Sequence, residues 1–187
     1  MKLLSIELEE CLVLERDVFA DQRGWFYESF NHGELIKLGI EKPFLQGNIS
    51  KSIAGTLRGL HYQQPMGQGK LISVMLGQIW DIAVDVRIGS PKFGQWSAVE
   101  LSDSNNRSFW IPPGFAHGFV ALSSEAVVSY FCTELYDRDF DRAIAWDDPD
   151  IAIDWPVKDV LLSKKDASAV RLRDMPKDLL PVYAGKM

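Results

Sequence analysis

Turn-forming residues interrupt this chain about every ten positions: Gly67-Gln68-Gly69, Gly77-Gln78, Gly89-Ser90-Pro91, Ser102 to Asn106, Pro112-Pro113-Gly114 and Ser123-Ser124. Segments that short cannot bury a helical face, whereas strands of that length pair through tight turns into an antiparallel sandwich or barrel. The alternation expected of strands is visible between the turns. Across Gln78–Arg87, Trp80, Ile82, Val84 and Val86 fall on one face, and Asp81, Asp85 and Arg87 join Ile79 and Ala83 on the other, which therefore reads as the polar side. Helix is scarce. Gly33–Ile40 carries apolar residues at Leu35, Ile36 and Leu38 and closes near Gly39, and Ser163–Asp174 is expected to start at Ser163 as N-cap. Met175–Met187, with two prolines, reads as a tail lying on the surface or on a partner.

With 187 residues, 47% of them hydrophobic, the chain can bury a full core without staples, and one domain over 1–187 is expected. No apolar run approaches the ~20 residues that cross a bilayer. Glu7, Glu9 and Glu10 break the apolar start before any small-residue cleavage site, so the N-terminus is read as that of a mature cytoplasmic protein with no membrane partner. A net charge of −6 argues against a partner tracked along its phosphates, so no nucleic acid is expected; an anionic ligand would need a local basic cluster. Cys11 and Cys132 lack framework or metal-type spacing and read as buried reduced thiols.

Chemistry must come from few residues. In Leu57–Gln63 a period of two puts His61 on one face and Arg58 on the other, and Gly59 between them can bulge the strand so that both reach one cavity. Taken alone, His61 reads as a metal ligand, a proton-transfer base or a hydrogen-bonded strand histidine. His117, in IPPGFAHGF, lies after a Pro-Gly turn, in a segment that resembles the second motif of cupin barrels. The first cupin motif needs a His-x-His pair and a glutamate, but His61-Tyr62-Gln63 is followed by no glutamate before Glu100, so the metal set is incomplete and no bound catalytic metal is expected. Lys70 is either a solvated lysine or a cation beside a developing enolate oxygen. Tyr130 and Tyr136 fill a core, or supply a phenolic proton and a stacking ring. Arg23, Phe26 and Glu28 form a solvated turn and strand by default, and Asp166 belongs to the first turn of a helix.

DQRGWFYE, QGNISKSIAGTLRGLHYQQP, GQGKLISVMLGQIWDIAVDVRIGSPKFG, WIPPGFAHGF, the spaced tyrosines, AWDDPDIAIDWP and LLSKKD follow one another in an order that resembles the dTDP-4-dehydrorhamnose 3,5-epimerases over nearly the whole chain. The resemblance implies an all-β, cupin-like antiparallel jelly roll with a few short peripheral helices. It also implies no cofactor or metal, a homodimer, and dTDP-4-dehydro-6-deoxy-D-glucose as substrate. By the same resemblance His61 is the base, Asp166 its carboxylate partner, Lys70 the group at the C4 carbonyl oxygen and Tyr130 the acid on the opposite side. Gln46, Asn48 and Arg58 then hold the sugar nucleotide, His117 lines the same site, and Tyr136 flanks thymine. Arg23, Phe26 and Glu28 reach a neighbouring subunit's site. Val170 stands where the family often has proline, and the path of the chain beyond Asp166 is left open by it.

The implied chemistry is coherent. A proton next to a ketone is removable only if the enolate oxygen is stabilised, and a cation in a dry cavity does that. The base must be neutral at pH 7, which suits a histidine with an unperturbed pKa near ~6.5. Inversion requires a donor on the far side. The rivals are a metal-dependent cupin oxygenase, a non-catalytic sugar-binding jelly roll and an epimerase that acts at one carbon alone.

Overall fold

The structure is a computed structural model and describes residues 1–8 and 10–185. In chain order it contains β1 (Lys2–Glu7), β2 (Cys11–Glu15), β3 (Val18–Asp21), β4 (Gly24–Tyr27), α1 (His32–Lys37), β5 (Gln46–Ile53), β6 (Leu57–Gln63) and β7 (Lys70–Leu76). There follow β8 (Gln78–Asp85), β9 (Trp96–Ser102), β10 (Arg107–Ile111), β11 (Phe115–Ala121), β12 (Glu125–Cys132), β13 (Asp141–Ala143) and α2 (Lys164–Ala167). A six-stranded sheet in the order β1-β2-β10-β7-β12-β5 faces a five-stranded sheet in the order β13-β6-β11-β8-β9, while β3 and β4 form a separate hairpin. The strand pairs are antiparallel, and the result is the jelly roll that the turn spacing and the family resemblance imply.

Three apolar layers hold it together. Ile72, Val74, Phe109 and Val128 from the larger sheet meet Ile79, Phe115 and Phe119 from the smaller one in the space between. Each such side chain taken fully from water contributes roughly 1.5–3 kcal/mol. The outer face of the smaller sheet, with Leu60, Ile82 and Val84, is covered by Ile144, Ile151, Leu172, Met175 and Leu180 from the last third of the chain. On the other side, Leu35 of α1 and Ile40 cover Leu12, Leu14, Leu71 and Trp110.

Because β8 is covered on both faces, the side read as polar is interior: Asp81 and Asp85 are both 0% exposed. Buried carboxylates persist only when paired. Asp85 accepts from Arg87 Nε at 3.0 Å and Nη2 at 2.7 Å and from Ser90 Oγ at 2.6 Å, and Arg87 also reaches Glu10 at 2.8 Å. The Arg87 guanidinium lies 4.9 Å from the Tyr183 ring centroid, and Tyr183 N donates to the Ile88 carbonyl at 2.9 Å. The described part of the C-terminal tail therefore packs on its own chain; Lys186 and Met187 lie outside the described residues.

The first helix forms where expected, capped by the Asn31 side chain and closed at Gly39, whose φ is +83°. The second is much shorter than Ser163–Asp174. Ser163 caps it as expected, but α2 ends at Ala167, because Val170 forms a parallel bridge to Ile144 and its carbonyl accepts from Ala145 N at 2.8 Å. A β-branched residue held in a strand-like bridge cannot also continue a helix. Two separate 3-10 turns follow, Leu172–Asp174 within that segment and Lys177–Leu179 beyond it.

Candidate active site

Gly59 builds the site by an irregularity. His117 pairs with His61 and Phe119 with Arg58, so β6 spends three steps where β11 spends two. Gly59 takes up the extra residue at a φ of +136°, with its own Cα so close to β11 that a Cβ would stand 2.5 Å from Gly118 Cα. The bulge undoes strict alternation, and Arg58 and His61 line the same cavity of about 440 Å³.

The other members of the cavity come from elsewhere in the fold. His117 on β11 completes the smaller sheet's wall, and Lys70 on β7 and Tyr130 on β12 form the wall across from it. Asp166 arrives from α2, 105 residues from His61 in sequence, with its Oδ1 2.5 Å from His61 Nε2. Asp166 is 4% exposed, and Ser163 locks it twice: the hydroxyl donates to Oδ2 at 2.8 Å and accepts from the Asp166 N–H at 3.1 Å. With Nε2–H donated to the carboxylate, the His61 lone pair is on Nδ1, which makes no hydrogen bond to protein among the described residues.

A second hollow of about 300 Å³ shares His61, Lys70 and Tyr130 with the first and is lined by Gln46, Asn48 and Tyr136. Gln46 is the organiser here. Its Nε2 donates to Asn48 Oδ1 at 2.9 Å and its Oε1 accepts from Tyr136 N at 2.8 Å. The Tyr136 hydroxyl donates to Asp141 at 3.0 Å, and Asp141 pairs with Lys165 at 2.5 Å.

The electrostatics fit proton transfer. Burial pushes the His61 imidazole below its usual value, opposed by the hydrogen bond and charge of Asp166 and reinforced by Lys165 and Lys70, so the ring is neutral at pH 7. For Asp166 burial alone would act upward, but the hydrogen bond and charge of His61, with Ser163 and Lys165, hold the carboxyl below the usual range. Burial lowers the Lys70 ammonium, and Cys132, Asp141 and Asp81 work against that. Burial, joined by Cys132, raises the Tyr130 phenol, which keeps it protonated as a donor, although Arg58 pulls it down.

Nine of the predicted residues thus meet in two connected hollows: His61, Asp166, Lys70, Tyr130, Arg58, His117, Gln46, Asn48 and Tyr136. The other three do not. Arg23 and Phe26 sit on the β3–β4 hairpin at a separate shallow hollow, Arg23 pairs with Asp21 at 2.5 Å, and Glu28 just past β4 is exposed. Sequence reasoning missed the partner of His117. Both carboxylate oxygens of buried Asp81 stand 3.0 Å from His117 Nε2, which makes a second histidine–carboxylate pair beside the first. It also missed Ser163 as the clamp on Asp166, although a serine three residues before an acid at a helix start is the signal for such a pair. Asp141, Lys165 and Ser50 gave no local signal. Among the described residues no group of three or more His, Cys, Asp or Glu side chains stands close enough to share a metal ion.

The family model of the dTDP-4-dehydrorhamnose 3,5-epimerases matches residues 5–174. A dTDP-4-dehydrorhamnose 3,5-epimerase from Methanothermobacter thermautotrophicus is 48% identical over 94% of this chain and 96% of its own length. The crystal structure of a dTDP-6-deoxy-D-glucose-3,5-epimerase from Legionella pneumophila, in complex with dTDP-4-keto-L-rhamnose, superposes with a TM-score of 0.96 at 47% identity, covering 98% of this chain and 99% of that one. A 3'-monoepimerase from Streptomyces bikiniensis, in complex with dTDP-quinovose, superposes at a TM-score of 0.88 and 34% identity, covering 98% of this chain and 93% of that one. The match over residues 5–174 and the 48% identity over nearly the whole of both chains, together with an interior histidine–carboxylate pair in a jelly roll, establish that the chain belongs to the dTDP-4-dehydrorhamnose 3,5-epimerase family.

Proposed function

We propose that the protein inverts C3 and C5 of dTDP-4-dehydro-6-deoxy-D-glucose, giving dTDP-4-dehydro-L-rhamnose for dTDP-L-rhamnose synthesis, with His61 and Tyr130 as the two proton-transfer groups. The observation that carries this reading is their placement: a base polarised by Asp166 on one sheet faces a phenol and a lysine on the other across one cavity. His61 Nδ1 takes the proton from carbon, and the electron pair moves onto the C4 oxygen, where Lys70 stabilises it. Tyr130 then delivers its proton to the other face of the carbon, which inverts it, and solvent returns a proton to the phenolate and takes up the one that His61 holds. C3 and C5 flank the same carbonyl, so one set of groups serves both in turn. Arg58, with Nε held by Ser52 Oγ at 3.0 Å and Nη2 by the Lys51 carbonyl at 3.1 Å, offers its remaining edge to the diphosphate.

The active unit in this reading is a homodimer and the whole chain one jelly-roll domain, with the N-terminal strands at the subunit contact. Phe19, Trp25 and Phe26 on the hairpin are 65%, 60% and 67% exposed, a concentration of apolar rings that a second copy would cover while Arg23, Phe26 and Glu28 enter its cavity. A cytoplasmic location belongs to the same reading, because nucleotide sugars are made and used there. Among the described residues no helix is long and apolar enough to cross a membrane.

Turnover in heavy water tests this. Each carbon that passes through an enolate takes up solvent deuterium, so the product should carry label at C3 and C5, and Tyr130→Phe should allow exchange to continue while inversion fails, most visibly at C5. Label at C3 alone would assign the activity of the Streptomyces relative, a monoepimerase. No exchange at either carbon, despite tight nucleotide binding, would leave a sugar-nucleotide binding module.

A further inference from the structure

Strand β5 forms an edge of the larger sheet, and its inward row is Gln46, Asn48, Ser50 and Ser52. The pairing with β12 fixes that direction: Asn48 lies opposite Tyr130, and Ser50 opposite Val128, a residue of the inter-sheet core. Three of the four side chains are committed within the protein. Gln46 bonds Asn48, Asn48 Nδ2 donates to Cys132 Sγ at 3.7 Å, and Ser52 Oγ accepts from Arg58. Ser50 is different. Its Oγ is shielded from solvent and has no hydrogen-bond partner among the described residues, yet it lines the cavity with His61, Arg58 and Tyr130.

A buried hydroxyl without a partner is a cost to the free protein, and in a cavity wall it is tolerable where a bound molecule completes it. Resting on the function proposed above, we propose that Ser50 is a substrate-binding residue whose hydroxyl donates to an acceptor oxygen of the sugar diphosphate. Ser52, two residues along the same face, fixes the Arg58 guanidinium, so Ser50 lines the same cavity as that fork. Its lone donor suits either a phosphoryl oxygen shared with Arg58 or a sugar oxygen next to it.

Removing the Ser50 hydroxyl should act oppositely on stability and on binding. Ser50→Ala in the ligand-free enzyme should leave the melting temperature unchanged or raise it, because the methyl group replaces a hydroxyl with nothing to bond. The same variant should raise KM about tenfold or more with kcat nearly retained, the signature of an interaction made equally in ground and transition states. Calorimetric titration locates the acceptor: equal weakening for dTDP and for the dTDP-sugar product assigns a phosphoryl oxygen, and weakening for the sugar nucleotide alone assigns a sugar oxygen. Unchanged KM and affinities would overturn the proposal, and so would a drop of several degrees in the ligand-free melting temperature, which would place the hydroxyl's partner within the protein. Wild-type exchange at C3 and C5 is read separately, so failure of the proposed function is distinguishable from failure of this assignment.

Discussion

Gly59→Ala tests whether the bulge makes the site. The added methyl would stand 2.5 Å from Gly118 Cα, 3.0 Å from the His117 carbonyl oxygen and 3.3 Å from Gly118 N, all backbone atoms of β11. Ordinary contact between carbons is ~3.5–4.0 Å, so β6 and β11 must separate by about 1 Å along the line where they pair. Overpacking of this kind costs about 1–3 kcal/mol. The φ of +136° adds to it. Holding a residue with a Cβ in such a region costs about 1–3 kcal/mol more. The sum, roughly 2–6 kcal/mol, is a large share of the ~5–15 kcal/mol that stabilises a typical domain. Gly118→Ala separates the two contributions. Its Cβ would stand 2.9 Å from the Arg58 carbonyl oxygen, but its φ lies outside the positive region, so it should carry the packing cost alone. Urea unfolding followed by circular dichroism gives both numbers, and residual activity of the folded fraction should fall for Gly59→Ala as Arg58 and His61 cease to converge. A Gly59→Ala variant within ~0.5 kcal/mol of wild type, or one no less stable than Gly118→Ala, would refute the reasoning.

Asp166→Asn should lower kcat by roughly 10²–10⁴ with little change in dTDP affinity, because the amide no longer fixes the His61 tautomer; a wild-type rate would show that Asp166 does not serve His61. The pH dependence follows from burial. A base whose pKa is depressed below 6.5 stays active down to lower pH, so the acid limb of kcat/KM should have its midpoint below 6.5, and a midpoint above that value would contradict the assigned environment. If Arg23 serves the partner's cavity, mixing inactive Arg23→Ala with inactive His61→Ala under subunit exchange should restore some activity, since one mixed site carries both native residues; no recovery despite proven exchange would place the two in one chain's site.

The strands of the two sheets were legible because turns and alternation are local properties. In β8 the period separates the two faces, but alternation tells which residues share a face and not whether that face meets water. Asp81 and Asp85 look like solvent-facing charges until His117, Arg87 and Ser90 are brought to them by the fold. The start of α2 was similarly readable from Ser163, while its end depended on Val170 meeting Ile144, a contact no local pattern encodes. Gly59 announced its bulge because glycine inside a strand has few other uses. The pairing of His61 with Asp166 came from the ordered motifs, not from periodicity. Ser50 was invisible because its distinction is the lack of a partner, a property of three dimensions only.

The groups assigned to take and to give the proton stand on different sheets, so the gap between them is set by whatever keeps the sheets apart. Deeper in the same interlayer that spacer is Ile72, Val74, Ile79, Phe109 and Val128. Since interiors are packed close to crystal density, adding or removing a methylene there shifts one wall against the other by fractions of an ångström. Proton transfer is steeply sensitive to such distances. The hydrophobic filling of the sandwich is therefore a gauge for the reaction, and a lineage that drifts from inverting two carbons to inverting one need not alter any residue that touches the sugar.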